Sequence, residues 1–461
     1  MDFFAIILFL LLYFVRVHDW VPMLSGLNIV KPAILLGAFG LLARPRRTPP
    51  WKPMHTPHEW VMAAFLGWCL YIDPDPYNTF LDGVFPFTAY YILTSYALNT
   101  KERLEKFFGW WCFCIVFMCL IAVLTDYGID ITHASQMIIE GQGRLCLNTY
   151  LLDNPNSLGH TAITALPLLY MMMMYGGNFS RILLALPLLI IVGICVVATQ
   201  SKGAYLCGAI VTTITLLMGR KAALQIAFIA ALAIILPAVA DMLPRMADRS
   251  ELRRDEGVMG RLMAFEQGLT TYNTAPAGWN KFYANFVWEH EDVVKDSHSA
   301  FVRVGADLGP TGLFLYLSAM CVSFRSLLRY RTDSLKLERC RRVLILLLVS
   351  FIVSGWMINR AYHTEYFLLI AAATAYHRLA IEHIRGIEVD FGEKSITERT
   401  PTTSEFAAQP EIQDATLVLA DEAESSPRRK FWNRYNIIDF GIAYAALQAT
   451  VWFWGYIIDN L

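Results

Sequence analysis

The chain has 461 residues, 56% of them hydrophobic and only 17% charged, with a formal net charge of −1 and a mean hydropathy of +0.42. A soluble domain carries roughly 25% charge, so an ordinary soluble protein is excluded, and the neutral balance argues against a nucleic-acid partner. Seven of the nine cysteines fall in apolar runs, while Cys340 lies in a basic loop and Cys146 alone in a polar segment. Those spacings fit neither a metal site nor a disulfide framework, and the apolar cysteines read as small buried hydrophobes.

A bilayer core about 30 Å thick takes roughly 20 helical residues to cross. Apolar runs at 3–17, 24–43, 58–72, 80–98, 107–126, 157–175, 180–199, 203–219, 222–243, 309–328, 342–358 and 362–378 approach that length, and a thirteenth lies at 437–459. The first run has no basic region before it and no small-residue cleavage site, so it reads as a retained span, not a signal peptide. The expectation is an all-α polytopic integral membrane protein. It has about 12 core transmembrane helices within 1–378, a large outside loop at 244–308 between spans nine and ten, and an extra C-terminal span within 437–461. Residues 379–436 are rich in Ser, Thr, Glu and Pro and read as a largely disordered cytoplasmic linker.

Lys and Arg collect in alternate short loops: Arg44, Arg46, Arg47 and Lys52, then Lys101, Arg103 and Lys106, then Arg181, then Arg220 and Lys221, then Arg325 to Arg342. This bias places the N-terminus in the cytoplasm. The polar segments at about 127–156, 199–203 and 244–308 then face outward. Trp20, Trp60, Trp110 and Trp111 stand near predicted interfaces, as membrane-belt aromatics do.

Chemistry is sought in the outward segments. In the large loop, Arg245, Arg249, Arg253 and Arg254 are balanced by Asp248, Glu251, Asp255 and Glu256, so a solvated surface explains them equally well. Arg261 opens the amphipathic run 260–265, followed by Gly278-Trp279-Asn280. His298 stands in Asp296-Ser297-His298-Ser299 before a helix start. A near-neutral imidazole there is placed to serve as a base, although a histidine in such a loop is more often a plain surface residue.

The order of these motifs resembles the O-antigen ligase superfamily of bacterial membrane glycosyltransferases, which includes many O-antigen polymerases. Arg144 followed by Asp153-Asn154-Pro155-Asn156-Ser157-Leu158-Gly159 is similar to the family's Arg and Asp-Pro-Asn-like turn. Ser201-Lys202-Gly203-Ala204 is similar to its Ser-Arg-Gly-Ala motif. Arg261 with Gly278, then His298-Ser299 and Asp307-Leu308-Gly309-Pro310-Thr311-Gly312, follow in the family's order. The resemblance covers roughly residues 1–378. Three departures stand out: Lys202 replaces the usual Arg and loses its planar phosphate-gripping fork, Ser299 replaces Asn, and Asp307 replaces Glu.

The resemblance implies transfer of a glycan from a polyprenyl-pyrophosphate carrier to an acceptor hydroxyl at the periplasmic face of a bacterial inner membrane. In that reading Arg261, Arg144 and Lys202 bind the donor pyrophosphate without a metal or other cofactor, and His298 is the catalytic base. Arg303, Arg360, His363 and Asp307 are candidate lining residues. Direct displacement would invert the anomeric carbon. The acceptor is a glycolipid such as a lipid-A core, a growing glycan (as in a polymerase) or a protein hydroxyl. Partners are therefore the lipid-linked donor, the acceptor and membrane lipids.

Rival readings remain open. Asp73-Pro74-Asp75 resembles the acidic metal motif of some lipid-linked glycosyltransferases, but flanking prolines favour a turn. Trp288-Glu289-His290-Glu291-Asp292 lacks the repeated His spacing of a helix-borne zinc site and reads as exposed loop. A transporter or flippase of lipid-linked glycan is the alternative from another class. It would place charges or Gly/Pro breaks at mid-membrane in paired halves, and no such halves are visible.

Overall fold

The computed structural model describes residues 1–24, 29–43, 53–175, 179–218, 220, 221, 224–226, 256–282, 297–384, 386 and 434–460. Among these the chain is helical, with no strand. In chain order the longer helices are α1 (Asp2–Leu10), α2 (Val30–Leu42), α3 (Pro57–Ile72), α4 (Phe85–Ala97), α5 (Lys101–Asp126), α6 (Pro155–Tyr175) and α7 (Phe179–Ala198). They continue as α8 (Lys202–Leu217), α9 (Glu256–Asn273), α10 (Ala300–Arg329), α11 (Leu335–Met357), α12 (Thr364–Ile384) and α13 (Ile437–Asn460).

Each expected span within the described residues overlaps one of these helices, although α10 begins at Ala300, nine residues before the expected span ten. Span nine lies outside them apart from 224–226, as do 244–255, 283–296 (with Trp288–Asp292) and most of the expected linker. Among the described residues, α5, α10, α11 and α13 are long and apolar enough to cross a membrane, and Asp2–Val15, Val30–Leu42, Ile182–Ala198 and Lys202–Leu217 are shorter apolar helices. The apolar composition and these helices mark a membrane protein.

Local sequence sets the helix starts. Thr56 and Glu59 form a reciprocal capping box before Pro57, satisfying amide groups that the first turn leaves open. Asn154 accepts from the Asn156 amide at 2.8 Å ahead of Pro155, joining a favoured cap residue to the proline favoured at the first helical position. Ser201 and Ser299 cap α8 and α10 through the amides of Ala204 and Val302.

The bundle is built around α12, in which every residue from Thr364 to Ala380 is buried, as befits a helix packed on all sides. α10 and α11 pack against it, α3 packs on α10, and α6 packs on both α7 and α8. The cysteines of the apolar runs are buried as expected, apart from the half-buried Cys321; Cys146 and Cys340 are buried too, the latter inside α11 and not in a loop, and all nine are free. Trp111 departs from its expected interfacial place. It is fully buried against Phe14 and Phe107, whereas Trp60 and Trp110 are exposed.

α10 is interrupted at Gly309, whose φ of 67° and ψ of −169° only glycine adopts readily. Pro310 follows and donates no amide hydrogen bond. The Ala306 carbonyl, which an amide at 310 would have used, accepts instead from the Ala277 amide at 3.1 Å, and the Leu308 carbonyl accepts from Trp68 Nε1 at 2.9 Å.

Charges divide between the two ends of the bundle. At one end Arg103 pairs with Asp2 at 3.0 Å, Arg325 with Asp439 at 2.7 Å and Lys336 with Glu102 at 3.0 Å, and Arg378 pairs with Glu59. The opposite end gathers the N-termini of α6, α8, α10 and α12 with the C-termini of α3, α11 and α13, and it holds the expected site residues.

Candidate active site

The site is organised by two helix starts drawn together. Asn156, in the first turn of α6, accepts from Ser201 Oγ at 2.7 Å and from Arg144 Nη2 at 2.9 Å. Arg144 Nε also donates to the Thr199 carbonyl at 3.2 Å. Gly159 permits this approach, since a Cβ there would lie 2.8 Å from that of Ala204. The N-termini of α6 and α8 therefore lie side by side, with Lys202 in the first turn of α8. Helix N-termini carry partial positive charge and open amide donors, so the pair favours an anion.

Further groups converge one turn deeper. His160 is buried, its Nδ1 lies 2.9 Å from Ser354 Oγ on α11, and its Nε2 faces Gly203. Arg360, between α11 and α12, is buried. It donates to Thr161 Oγ1 at 2.6 Å and to Glu365 Oε2 at 2.7 Å. Both Arg360 and Arg261 lie close enough to His160 to act on it electrostatically. Arg261 is half-buried on α9.

His298 is also half-buried, between buried Ser297 and Ser299. Its φ of 50° is an uncommon conformation for a residue other than glycine. Ser297 Oγ donates to the Ser299 carbonyl at 3.1 Å and secures this turn. α9 and α10 run side by side in one direction. The position of Gly268 faces Val302 and that of Gly305 faces Tyr272. Seven residues back along α9 is Arg261, a rise of ~10 Å, and His298 stands just before the cap of α10, so both lie at the same end of the pair. The end of α11 bridges them to α8. Phe301 packs on Trp356 with ring centroids 5.0 Å apart, and a Cβ at Gly203 would lie 3.2 Å from Met357 Cβ.

Arg303 and Asp307 serve a different place. Both are buried, and Arg303 Nε donates to Asp307 Oδ2 at 2.6 Å. Asp307 also accepts from the Phe282 amide at 2.6 Å and from Tyr362 Oη at 3.0 Å, and Arg303 reaches Asn280 at 2.8 Å. The segment 278–282 is thereby pinned to α10. Asp73 pins it from α3, taking Lys281 Nζ at 2.5 Å and the Trp279 amide at 2.9 Å. Trp279 packs against Tyr362, which precedes His363, with ring centroids 4.1 Å apart and planes tilted by 34°. Asp73-Pro74-Asp75 is a turn, as expected, and in addition a buried anchor.

Sequence reading missed His160, Thr161, Ser354, Glu365 and the anchoring role of Asp73. Polar residues inside apolar runs 157–175 and 342–358 were the available signal for three of them. Two family departures acquire structural roles: Ser299 is the cap of α10, and Asp307 is the partner of Arg303.

A family model described as O-Antigen ligase matches residues 161–317, and no curated protein matches the chain. The matched part is roughly a third of the chain. It runs from the second turn of α6 into α10, so Lys202, Arg261, His298, Arg303 and Asp307 lie within it, while Arg144, Arg360 and His363 lie outside it.

Proposed function

We propose, from the O-antigen ligase character of residues 161–317, that the chain transfers a glycan from a polyprenyl-pyrophosphate carrier to an acceptor hydroxyl at the periplasmic face of an inner membrane. The observation that carries this reading is the tie of Arg144, Asn156 and Ser201. It draws two helix N-termini and two cations together, which suits the negative charge that a leaving pyrophosphate gains.

In this mechanism the acceptor oxygen attacks the anomeric carbon while the bond from that carbon to the phosphate oxygen breaks. The acceptor's proton passes to His298. The leaving pyrophosphate keeps the bonding electrons, and Arg144, Lys202 and Arg261 hold it. Fixed cations in a poorly solvated site stabilise such charge without reorganising, and each is worth about 10²–10³ in rate. Arginines add paired, directional hydrogen bonds to phosphate. Attack opposite the leaving group inverts the anomeric centre. Arg360, engaged by Glu365 and Thr161, supports the α6 start from below. The charge division between the two bundle ends favours an enzyme working at one face over a transporter or flippase with central charges.

Ligation onto a glycolipid core is the first reading; polymerisation and transfer to protein use the same donor chemistry. The test is purified protein with a defined polyprenyl-pyrophosphate glycan and each acceptor in turn. Released polyprenyl pyrophosphate together with a glycosylated acceptor is the expected result, and the productive acceptor names the subclass. Folded Arg261→Ala and His298→Ala variants that retained full transfer would overturn the site. Activity is expected to survive exhaustive chelation; loss restored by added metal would refute the metal-free clamp.

A further inference from the structure

The C-terminal helix α13 lies outside the matched region and takes no part in the mechanism above, yet it reaches the helix that carries Arg261. Asp439 near its start pairs with Arg325 at 2.7 Å, and Trp454 near its end is fully buried. The indole of Trp454 occupies a slot walled by two glycines. A Cβ at Gly268 of α9 would lie 3.0 Å from Trp454 Cζ2, and one at Gly305 of α10 would lie 2.9 Å from Cζ3. Tyr272 closes the slot, its ring centroid 5.8 Å away. Trp454 Nε1 donates to the Phe265 carbonyl at 2.9 Å, one turn along α9 from Arg261. The face of α13 turned away from this slot, with Trp452 and Tyr456, is exposed.

An indole N–H buried at the bilayer's depth requires an acceptor, and this one finds it on the helix that presents Arg261. We infer that Trp454 is a positioning residue: the C-terminal span holds α9 against α10 and so fixes where Arg261 is presented. The inference rests on the donor-phosphate reading of Arg261. It makes α13 part of the catalytic apparatus and not a mere membrane tether.

The test uses the full chain carrying Trp454→Ala or Trp454→Phe, the latter keeping most of the packing and removing the hydrogen bond. Hydrogen exchange of the α9 amides, in the absence of substrate, is expected to quicken in both variants while α6 and α12 keep their protection. Transfer by Trp454→Ala is expected to fall about ten- to a hundredfold in kcat/KM for the lipid-linked donor, with the acceptor KM unchanged and Trp454→Phe intermediate. In an Arg261→Lys background the same Trp454 substitutions should add little, because residues acting through one another are not additive. Unchanged α9 exchange, or losses that multiply in full, would overturn the inference. Full transfer by Arg261→Ala would instead defeat the donor reading, and the exchange measurement would still decide whether Trp454 holds α9.

Discussion

Replacing Asp307 with alanine removes one carboxylate and strands three donors at once. Arg303 Nε, the Phe282 amide and Tyr362 Oη all reach Asp307, at 2.6, 2.6 and 3.0 Å, and Asp307 is inaccessible to solvent while Arg303 is nearly so. Deleting one partner of a buried ion pair leaves an uncompensated charge and costs about 3–5 kcal/mol. At about 2 °C per kcal/mol, the melting temperature should fall by roughly 6–10 °C. Melting can be followed in detergent by a thiol-reactive fluorophore, because eight of the nine cysteines are buried in the folded chain. The double variant Asp307→Ala with Arg303→Met removes both charges and should recover much of the loss, since replacing a whole buried pair by apolar groups is often close to neutral. A fall below about 1 kcal/mol for Asp307→Ala, or a double variant as unstable as the sum of the singles, would refute the assignment of Asp307 and Arg303 as a mutual anchor.

Gly309→Ala should destabilise the fold by about 1–3 kcal/mol, because its backbone conformation suits glycine and the new Cβ would meet Pro276 Cγ at 3.0 Å; thermal melting checks this. Trp68→Phe should cost about 1 kcal/mol in the same assay through the Leu308 carbonyl left without its donor. Burial alone would raise the Asp73 carboxyl, but the hydrogen bond from Lys281 and the Asp75 amide outweigh it and hold the group below the usual carboxylate range. A depressed carboxylate stabilises the native state above its unfolded value of about 3.9 and loses that contribution only as pH falls through the lower folded value. The Trp279 amide should therefore stay protected from exchange from neutral pH down to about pH 4, and Asp73→Asn should weaken that protection across the whole range. Asn156→Ala should lower transfer by about tenfold or more while the melting temperature shifts little, since Arg144 and Ser201 lose their common acceptor; donor kcat/KM in the purified system measures it.

Membrane character and the all-helical class follow from apolar run lengths, because bilayer thickness fixes how long a run must be. Basic loops alternate along the chain, and in the folded molecule Arg103, Arg325 and Lys336 pair with acidic partners at one end of the bundle. The motifs around Arg144, Lys202, Arg261 and His298 carried the superfamily resemblance, which the family match at 161–317 supports.

What no local pattern could supply is which polar side chains meet across helices. Arg144 and Ser201 share Asn156, His160 meets Ser354, and Asp73 grips Lys281 some two hundred residues away. Trp111 looked interfacial by position and is core by packing, because Phe14, just after α1, and Phe107 of α5 pack on it. The large loop was, in the sequence, only a polar gap bearing Arg261 and His298. Tertiary structure decided that Asp73 and Asp307 clamp its described segment 278–282, and that a helix from the far C-terminus braces α9. Run length and charge act on each segment singly, whereas pairing energies depend on distances that exist only once the segments are packed.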